Sequence, residues 1–165
     1  MFIKEVRVIT HPTTRPAHPS DATGITEVLL QIEDLKSVNM IGRDAIKARV
    51  SQQLAIADAS PQSTVLVAIA ADGSIAGYGS VHWTPFLFLA GSEGYITELF
   101  ITPANRKLGL GTALLQAMET EARRRGCARL ALLNGRDRES YRRQFYARRG
   151  WTERAGMANF ILPLN

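Results

Sequence analysis

Arg106-Lys107-Leu108-Gly109-Leu110-Gly111-Thr112 brings cations and glycines together in one short stretch. Glycine lets a backbone come close to a ligand. A turn that opens a helix aims orphaned amide N–H groups outward, where the helix dipole adds partial positive charge. Arg106 and Lys107 supply full charges, so the natural occupant of such a turn is a pyrophosphate. Other phosphate loops fit less well. A Walker A loop needs Gly-Lys-Ser/Thr at its end, where this chain has Gly111-Thr112-Ala113, and a dinucleotide fingerprint needs a further glycine where Leu114 stands. The same stretch also reads as a strand-to-helix turn with no ligand.

The flanking segments have the pattern needed to hold such a turn. Tyr95-Ile96-Thr97-Glu98-Leu99-Phe100-Ile101 is rich in β-branched and aromatic residues and stops at Thr102-Pro103, which predicts a strand. Leu110, Leu114, Leu115, Met118 and Ala122 recur at helical spacing as far as Gly126. A second apolar strand follows over 128–133, and then a helix expected over 138–149.

Arg106-x-x-Gly109-x-Gly111 between a strand and a long helix resembles the acetyl-CoA signature of the GNAT N-acetyltransferase superfamily. Phe145-Tyr146-Ala147-Arg148-Arg149-Gly150-Trp151, beyond the second strand, resembles the same superfamily's Phe-Tyr-x-x-x-Gly-Phe/Trp element. The likeness is dense from Tyr95 to Trp151 and thinner before. It implies an α/β (α+β) GNAT fold, with a mixed, mostly antiparallel sheet of about six to seven strands and about four helices on both faces. It further implies acetyl-CoA as cosubstrate, an amine as acceptor and no metal. On this resemblance the pyrophosphate falls to Arg106, Lys107, Leu108, Gly109, Leu110, Gly111 and Thr112, and the backbone of Leu99, Phe100 and Ile101 pairs with the pantetheine arm.

Acetyl transfer needs an unprotonated amine, a stabilised oxyanion and a proton for the leaving thiolate. An alkylammonium with a reference pKa near ~10.4 must lose its proton to a base. Tyr146 matches the family tyrosine that protonates the CoA sulfur, and it also reads as a core residue beside Phe145. Glu98 is the carboxylate of the pre-turn strand. Simple alternation sets it opposite Thr97 and Leu99. Family members with a catalytic carboxylate on this strand often carry it on the face of Tyr95 and Thr97, a departure that leaves Glu98 as base, as a group orienting the amine, or as an arginine's partner. Water, Glu27, Glu33 or Asp34 are the alternative routes for the proton. Glu139 stands where the family has asparagine; Asn134 is read as a cofactor-arm contact or a turn residue, and Arg142 as a phosphate ligand or a solvated side chain.

Composition narrows the rest. A chain of 165 residues with 45% hydrophobic residues fits one domain, expected over 1–165. No apolar run approaches the ~20 residues that span a bilayer, and the first residues lack a signal-peptide pattern. With Cys127 alone there is no internal disulfide, so the expected compartment is the cytoplasm. His11, His18 and His82 are too scattered to ligate a metal. The net charge of +5 is uneven: eleven arginines against four acids between Glu121 and Arg154 give +7, leaving −2 elsewhere. Such a cluster suits nucleic acid, but no aromatics interleave on a strand face to stack bases, which leaves CoA phosphates as the better partner. A small-molecule amine is the expected second substrate, with peptide or protein amines, or a non-catalytic CoA-binding or nucleic-acid-binding domain on the same fold, as the alternatives, and a homodimer is compatible with the chain. Along the chain we expect a strand over 2–9, an extended Pro-rich stretch over 11–20, a helix capped by Ser20 and running to Leu35, and a second helix from Ile46 towards Ala59. A hairpin follows, with strands over 64–70 and 75–83 joined at Asp72-Gly73, and then an apolar loop, Phe86 to Leu89, that either flanks a substrate site or folds inward.

Overall fold

The structure is a computed structural model that describes residues 12–35 and 40–164, apart from the Asp34 side chain. The strand expected over 2–9 and His11 lie outside the described residues. The chain divides into two compact units, Met1–Leu132 and Leu133–Asn165.

The first unit is built on a sheet of five strands in the order β1-β2-β3-β4-β5. They are β1 (Thr13–Pro16), β2 (Ser63–Ile69), β3 (Ile75–Pro85), β4 (Ser92–Ile101) and β5 (Arg129–Leu132). The first four pair antiparallel in sequence, and β5 joins β4 in parallel. Among the described residues β1 is an edge strand, a position that tolerates Pro16. The β2–β3 turn forms as its residues dictate. Gly73 takes φ +85, and the Asp72 carboxylate accepts from the Ser74 N–H at 2.9 Å and from its hydroxyl at 2.6 Å.

Helices cover both faces of this sheet. α1 (Ala22–Leu30) and α2 (Arg43–Asp58) bury Ala22, Ile25, Val28, Leu29, Ile46 and Leu54 with Val67 and Tyr78 on one face. α3 (Leu110–Arg124) covers the other with Leu110, Leu114, Leu115, Met118 and Ala122, the residues its periodicity singles out. Gly79 lies beneath α3, where an added Cβ would run into Met118.

Several expectations are corrected. Ser20 does not open the first helix. His18 caps a short 3-10 turn over Pro19–Asp21, and Asp21 closes the box by accepting the His18 N–H at 2.7 Å. That carboxylate also takes both arms of Arg15, at 2.6 and 2.8 Å, which fixes the entry to α1 more firmly than a serine could. α1 ends at Leu30, short of Leu35, and a 3-10 turn follows at Glu33–Leu35. The sheet has five strands among the described residues, fewer than expected, since 151–164 forms no strand. The loop after β3 does not fold inward at its tip: Leu87 and Phe88 are exposed.

In the second unit the helix expected over 138–149 is broken. α4 spans Glu139–Arg142, Gln144 takes φ +55, and a 3-10 turn over Ala147–Arg149 ends at Gly150 with φ +83. The break lets the Phe145 N–H reach back to the Ser140 carbonyl at 2.9 Å. It also sets the Phe145 ring beneath the guanidinium groups of Arg149 at 4.1 Å and Arg143 at 5.0 Å. Phe145 and Tyr146 are therefore placed by a turn and not by helical rotation.

Candidate active site

The β4–β5 ladder runs from Glu93↔Arg129 to Ile96↔Leu132 and stops there, while β4 continues to Ile101. Hydrogen-bonding directions along that extension follow from its other neighbour. The Thr102 N–H donates to the Ala76 carbonyl at 2.8 Å, and Phe100 and Glu98 stand opposite Tyr78 and Ser80 in the same register. Antiparallel alternation then directs the N–H and C=O of Glu98 and Phe100 to β3, and those of Leu99 and Ile101 to the side β5 has left. An extended amide-bearing ligand could add to this edge as a strand would. Of the three residues expected to offer backbone groups, Leu99 and Ile101 face the edge, whereas Phe100 directs its backbone to β3. The Ile101 carbonyl accepts from Arg106 Nε at 3.3 Å, tying the strand end to the turn that follows.

A β-bulge decides where Glu98 points. Ser80 pairs with Glu98 and Val81 with Ile96, so Thr97 is an extra residue with no register partner on β3, although its hydroxyl donates to the Ser80 carbonyl at 3.4 Å. Neighbouring Ser80 and Val81 face opposite sides, and so do Glu98 and Ile96, although they are two residues apart. Glu98 thereby joins Ser80, Tyr78, Phe100 and, through His82↔Tyr95, Tyr95 on the α1 face. Simple alternation separates Glu98 from Tyr95; the bulge places them on one face.

Glu98 is half-buried, and its Oε1 accepts from the Tyr78 hydroxyl at 3.2 Å. Burial pushes its carboxyl above the ordinary carboxylate range, against a smaller downward pull from that hydrogen bond and from His82. Among the described residues no arginine or lysine forms an ion pair with it, which sets it apart. Each of the other buried or half-buried carboxylates described in this unit (Asp21, Glu27, Glu93, Glu119 and Glu121) lies against an arginine. A buried carboxylate left without such a partner is costly, and such groups concentrate where proton chemistry is done.

The turn after β4 has the geometry of an anion cradle. Lys107 takes φ +65 and Gly109 takes φ +84, directly ahead of α3. Gly109 is the N-cap and, having no side chain, makes no cap hydrogen bond of its own to the amides that open α3. Gly111 lies within the first turn of α3. Arg106 and Lys107 are exposed beside it, and Leu108 is exposed as well. These residues fit a pyrophosphate, and the free edge of β4 fits the amide-containing arm joined to it in CoA.

The second unit holds Asn134, Arg142 and Tyr146. Asn134 Oδ1 accepts from the Ser140 hydroxyl at 2.9 Å, which is a turn-stabilising role, and Arg142 Nη2 donates to the Asp137 carbonyl at 2.6 Å. Tyr146 is half-buried between Phe145, with ring centroids 5.0 Å apart, and Trp151 at 5.8 Å. Burial raises its ionisation above the ordinary phenol value against the opposing charges of Arg138 and Arg143, so it stays a proton donor at neutral pH.

Of the alternative acids, Glu27 pairs with Arg43, so its carboxylate is engaged, as is that of Glu93 on β4, which pairs with Arg129. Glu33 is exposed, and the Asp34 side chain lies outside the described residues. Many of the clustered arginines are also engaged: Arg124 and Arg125 hold Glu121, Arg136 holds Glu153, and Arg149 donates to the Phe145 carbonyl. Among the described residues no group of His, Cys, Asp and Glu is arranged to hold a metal ion, and no helix is long and apolar enough to cross a membrane. Tyr78 is the site residue that the sequence did not flag. Its setting in Gly77-Tyr78-Gly79 was the available signal, because glycines on both sides of an aromatic in a strand mark close backbone approach.

Residues 31–151 match the Acetyltransferase (GNAT) family, and the chain belongs to that family. It is similar to an aminoglycoside N(6')-acetyltransferase type 1 from Klebsiella aerogenes, 32% identical over 71 residues. That match takes in 42% of this chain and 47% of the relative, so it spans about half of the relative's length. Among solved structures it is similar to a transcriptional regulator from Bacillus halodurans C-125, with a TM-score of 0.80, 20% identity and coverage of 93% of this chain and 99% of that one. It is also similar to an aminoglycoside acetyltransferase from an uncultured soil metagenomic sample, with a TM-score of 0.70, 18% identity and coverage of 94% and 99%. These two likenesses show the GNAT fold.

Proposed function

We propose that the chain acts over 1–165 as one N-acetyltransferase domain, transferring the acetyl group of acetyl-CoA to a primary amine of a small cationic molecule by direct attack in a ternary complex. The observation that carries this reading is Glu98: a half-buried carboxylate with no arginine, on the strand whose free edge leads into an uncapped helix turn. Acetyl-CoA, when bound, supplies an activated acyl thioester. The first-turn amides of α3 with Arg106 and Lys107 hold its pyrophosphate, and the outward backbone groups of Leu99 and Ile101 align its arm. Glu98 attracts an ammonium and takes its proton, a task favoured by a carboxyl of raised pKa. The Tyr146 hydroxyl is the proton donor for the departing thiolate. The partial match to an aminoglycoside acetyltransferase supports a small polyamine-like acceptor, and the lone thiol of Cys127 supports a cytoplasmic setting.

The test is thiol release from acetyl-CoA with kanamycin A, spermidine, Nα-acetyl-lysinamide and an alanine-terminated peptide. Release with the first three and not with the peptide is expected. Release with the peptide alone moves the acceptor class to polypeptide amines, and no release with any of the four overturns the catalytic reading.

A further inference from the structure

We propose that Tyr78 is a positioning residue for Glu98: its hydroxyl occupies Oε1 and so presents Oε2 as the atom that accepts the amine's proton. The inference rests on the reading of Glu98 as the base.

Tyr78 is suited to this because it cannot move. It is 4% exposed on β3, its ring sits against Phe100 with centroids 5.8 Å apart, and it belongs to the core cluster formed with α1 and α2. Its neighbours Gly77 and Gly79 permit the tight approach of β4. A Cβ on Gly77 would meet the Phe100 carbonyl oxygen, and one on Gly79 would lie 3.2 Å from that of Glu98. Tyr78 stands opposite Phe100, so Glu98 is its diagonal neighbour, a separation that a ring bearing a hydroxyl can bridge. A buried phenol needs an acceptor, and Glu98 is the one it has found.

The choice of a phenol has a chemical consequence. An arginine that orients a carboxylate also favours its ionised form: Arg15 holds the Asp21 carboxyl below its ordinary value, and Glu121, against Arg124 and Arg125, is drawn down to about 2. An orienting arginine would therefore weaken a base. Tyr78 orients Glu98 with a neutral donor and leaves burial to keep the carboxyl basic. Burial and the nearby carboxylate push the Tyr78 hydroxyl well above the ordinary phenol range, so it remains a donor wherever the enzyme works. Among the described residues, other titratable groups also bear on Glu98. β3 adds His82, β4 adds Tyr95 by register, and the titratable residue of α1, Glu27, is held by Arg43 of α2. In the transfer an ammonium N–H bond breaks and an O–H bond forms on Oε2. The electron pair stays on nitrogen, and the Tyr78 O–H remains intact.

The test is a titration of protein carrying carbon-13 at the glutamate carboxyls, with the Glu98 signal assigned by its absence in Glu98→Gln. Tyr78→Phe, and Tyr78→4-methylphenylalanine, which keeps the ring and fills the hydroxyl's volume, should both move the Glu98 midpoint to higher pH. The acid limb of kcat/KM should move the same way for whichever amine of the panel is turned over fastest. Turnover at pH 7 should fall on the order of tenfold, as for loss of one hydrogen bond to a charged group, with acetyl-CoA affinity kept. Tyr78→4-aminophenylalanine restores a donor and should return both midpoint and limb. A midpoint and limb that stay at wild-type values in the 4-methylphenylalanine protein overturn the positioning role, and they do so even if Glu98→Gln is inactive. Full turnover in Glu98→Gln overturns the base assignment itself, and this inference with it.

Discussion

Glu98→Gln is expected to slow the enzyme and stabilise the fold at once. The substitution is nearly isosteric, so it opens no cavity, and the amide oxygen can still accept from Tyr78 across the 3.2 Å contact. What it removes is a charge and a base. Loss of a general base typically costs roughly 10²–10⁴-fold in turnover. The effect on stability has the opposite sign. Folding raises the Glu98 carboxyl above its ordinary value, chiefly by desolvation. Its favourable contribution is therefore complete below the unfolded value and is lost as pH rises through the raised folded value, beyond which the ionised group is a net cost. A neutral amide escapes that cost at pH 8 and gains nothing at pH 4. Relieving one such functional group is typically worth about 0.5–2 kcal/mol, and each kcal/mol raises Tm by about 2–4 °C in a chain of this size. Thermal unfolding at both pH values, with thiol release at saturating amine, measures both halves. A Tm that falls at pH 8 while turnover survives would show Glu98 to be a structural carboxylate and would refute the reasoning.

Other substitutions test the remaining parts. Gly111→Ala, inside α3 where alanine is favoured, should leave Tm unchanged or raised and weaken acetyl-CoA binding by about tenfold or more by crowding the turn amides. Gly109→Ala should also destabilise, by about 1 kcal/mol or more, because it forces a side chain to φ +84, and calorimetry with unfolding separates the two. Tyr146→Phe should lower turnover by roughly 10²–10⁴-fold with acetyl-CoA affinity retained, as checked by steady-state kinetics and calorimetry. Glu121, held at about 2 in the fold against an ordinary 4.5, stabilises the protein above the ordinary value. That contribution should fade as pH falls from 4.5 towards 2, and Glu121→Gln should flatten this part of the acid-unfolding curve.

The elements were largely legible because they rest on periodicity and turn chemistry. The α3 stripe from Leu110 to Ala122 is the buried stripe in the structure, and Asp72-Gly73 makes the hairpin it announces. The turn between β4 and α3 was legible for the same reason, since a strand, two glycines and a helix leave few conformations. What escaped depends on partners far apart in the chain. Glu93 and Arg129 are 36 residues apart, and nothing in either neighbourhood announces their pairing. The break at Gln144 carries neither glycine nor proline, and it coincides with the placement of Phe145 beneath two arginines. The face of Glu98 was misread because an extra residue in one strand has no compositional signature. Only the register with β3 reveals it.

Thr97, which has no counterpart on β3, governs a dimension that side-chain chemistry does not reach. Were it deleted, Ile96 and Glu98 would become adjacent and would still lie on opposite faces, so each side chain would keep its place. The path of the backbone would change instead. A bulge bends its strand and tightens the local twist, and β4 parts from β5 just before this residue, at Ile96↔Leu132. A chain shorter by this one residue would lose that bend and twist just beyond the last β4–β5 pair. The course of the Leu99–Ile101 edge thus depends on the number of residues between Ile96 and Glu98 and not on their identities. Scanning by substitution, however complete, leaves that number untouched.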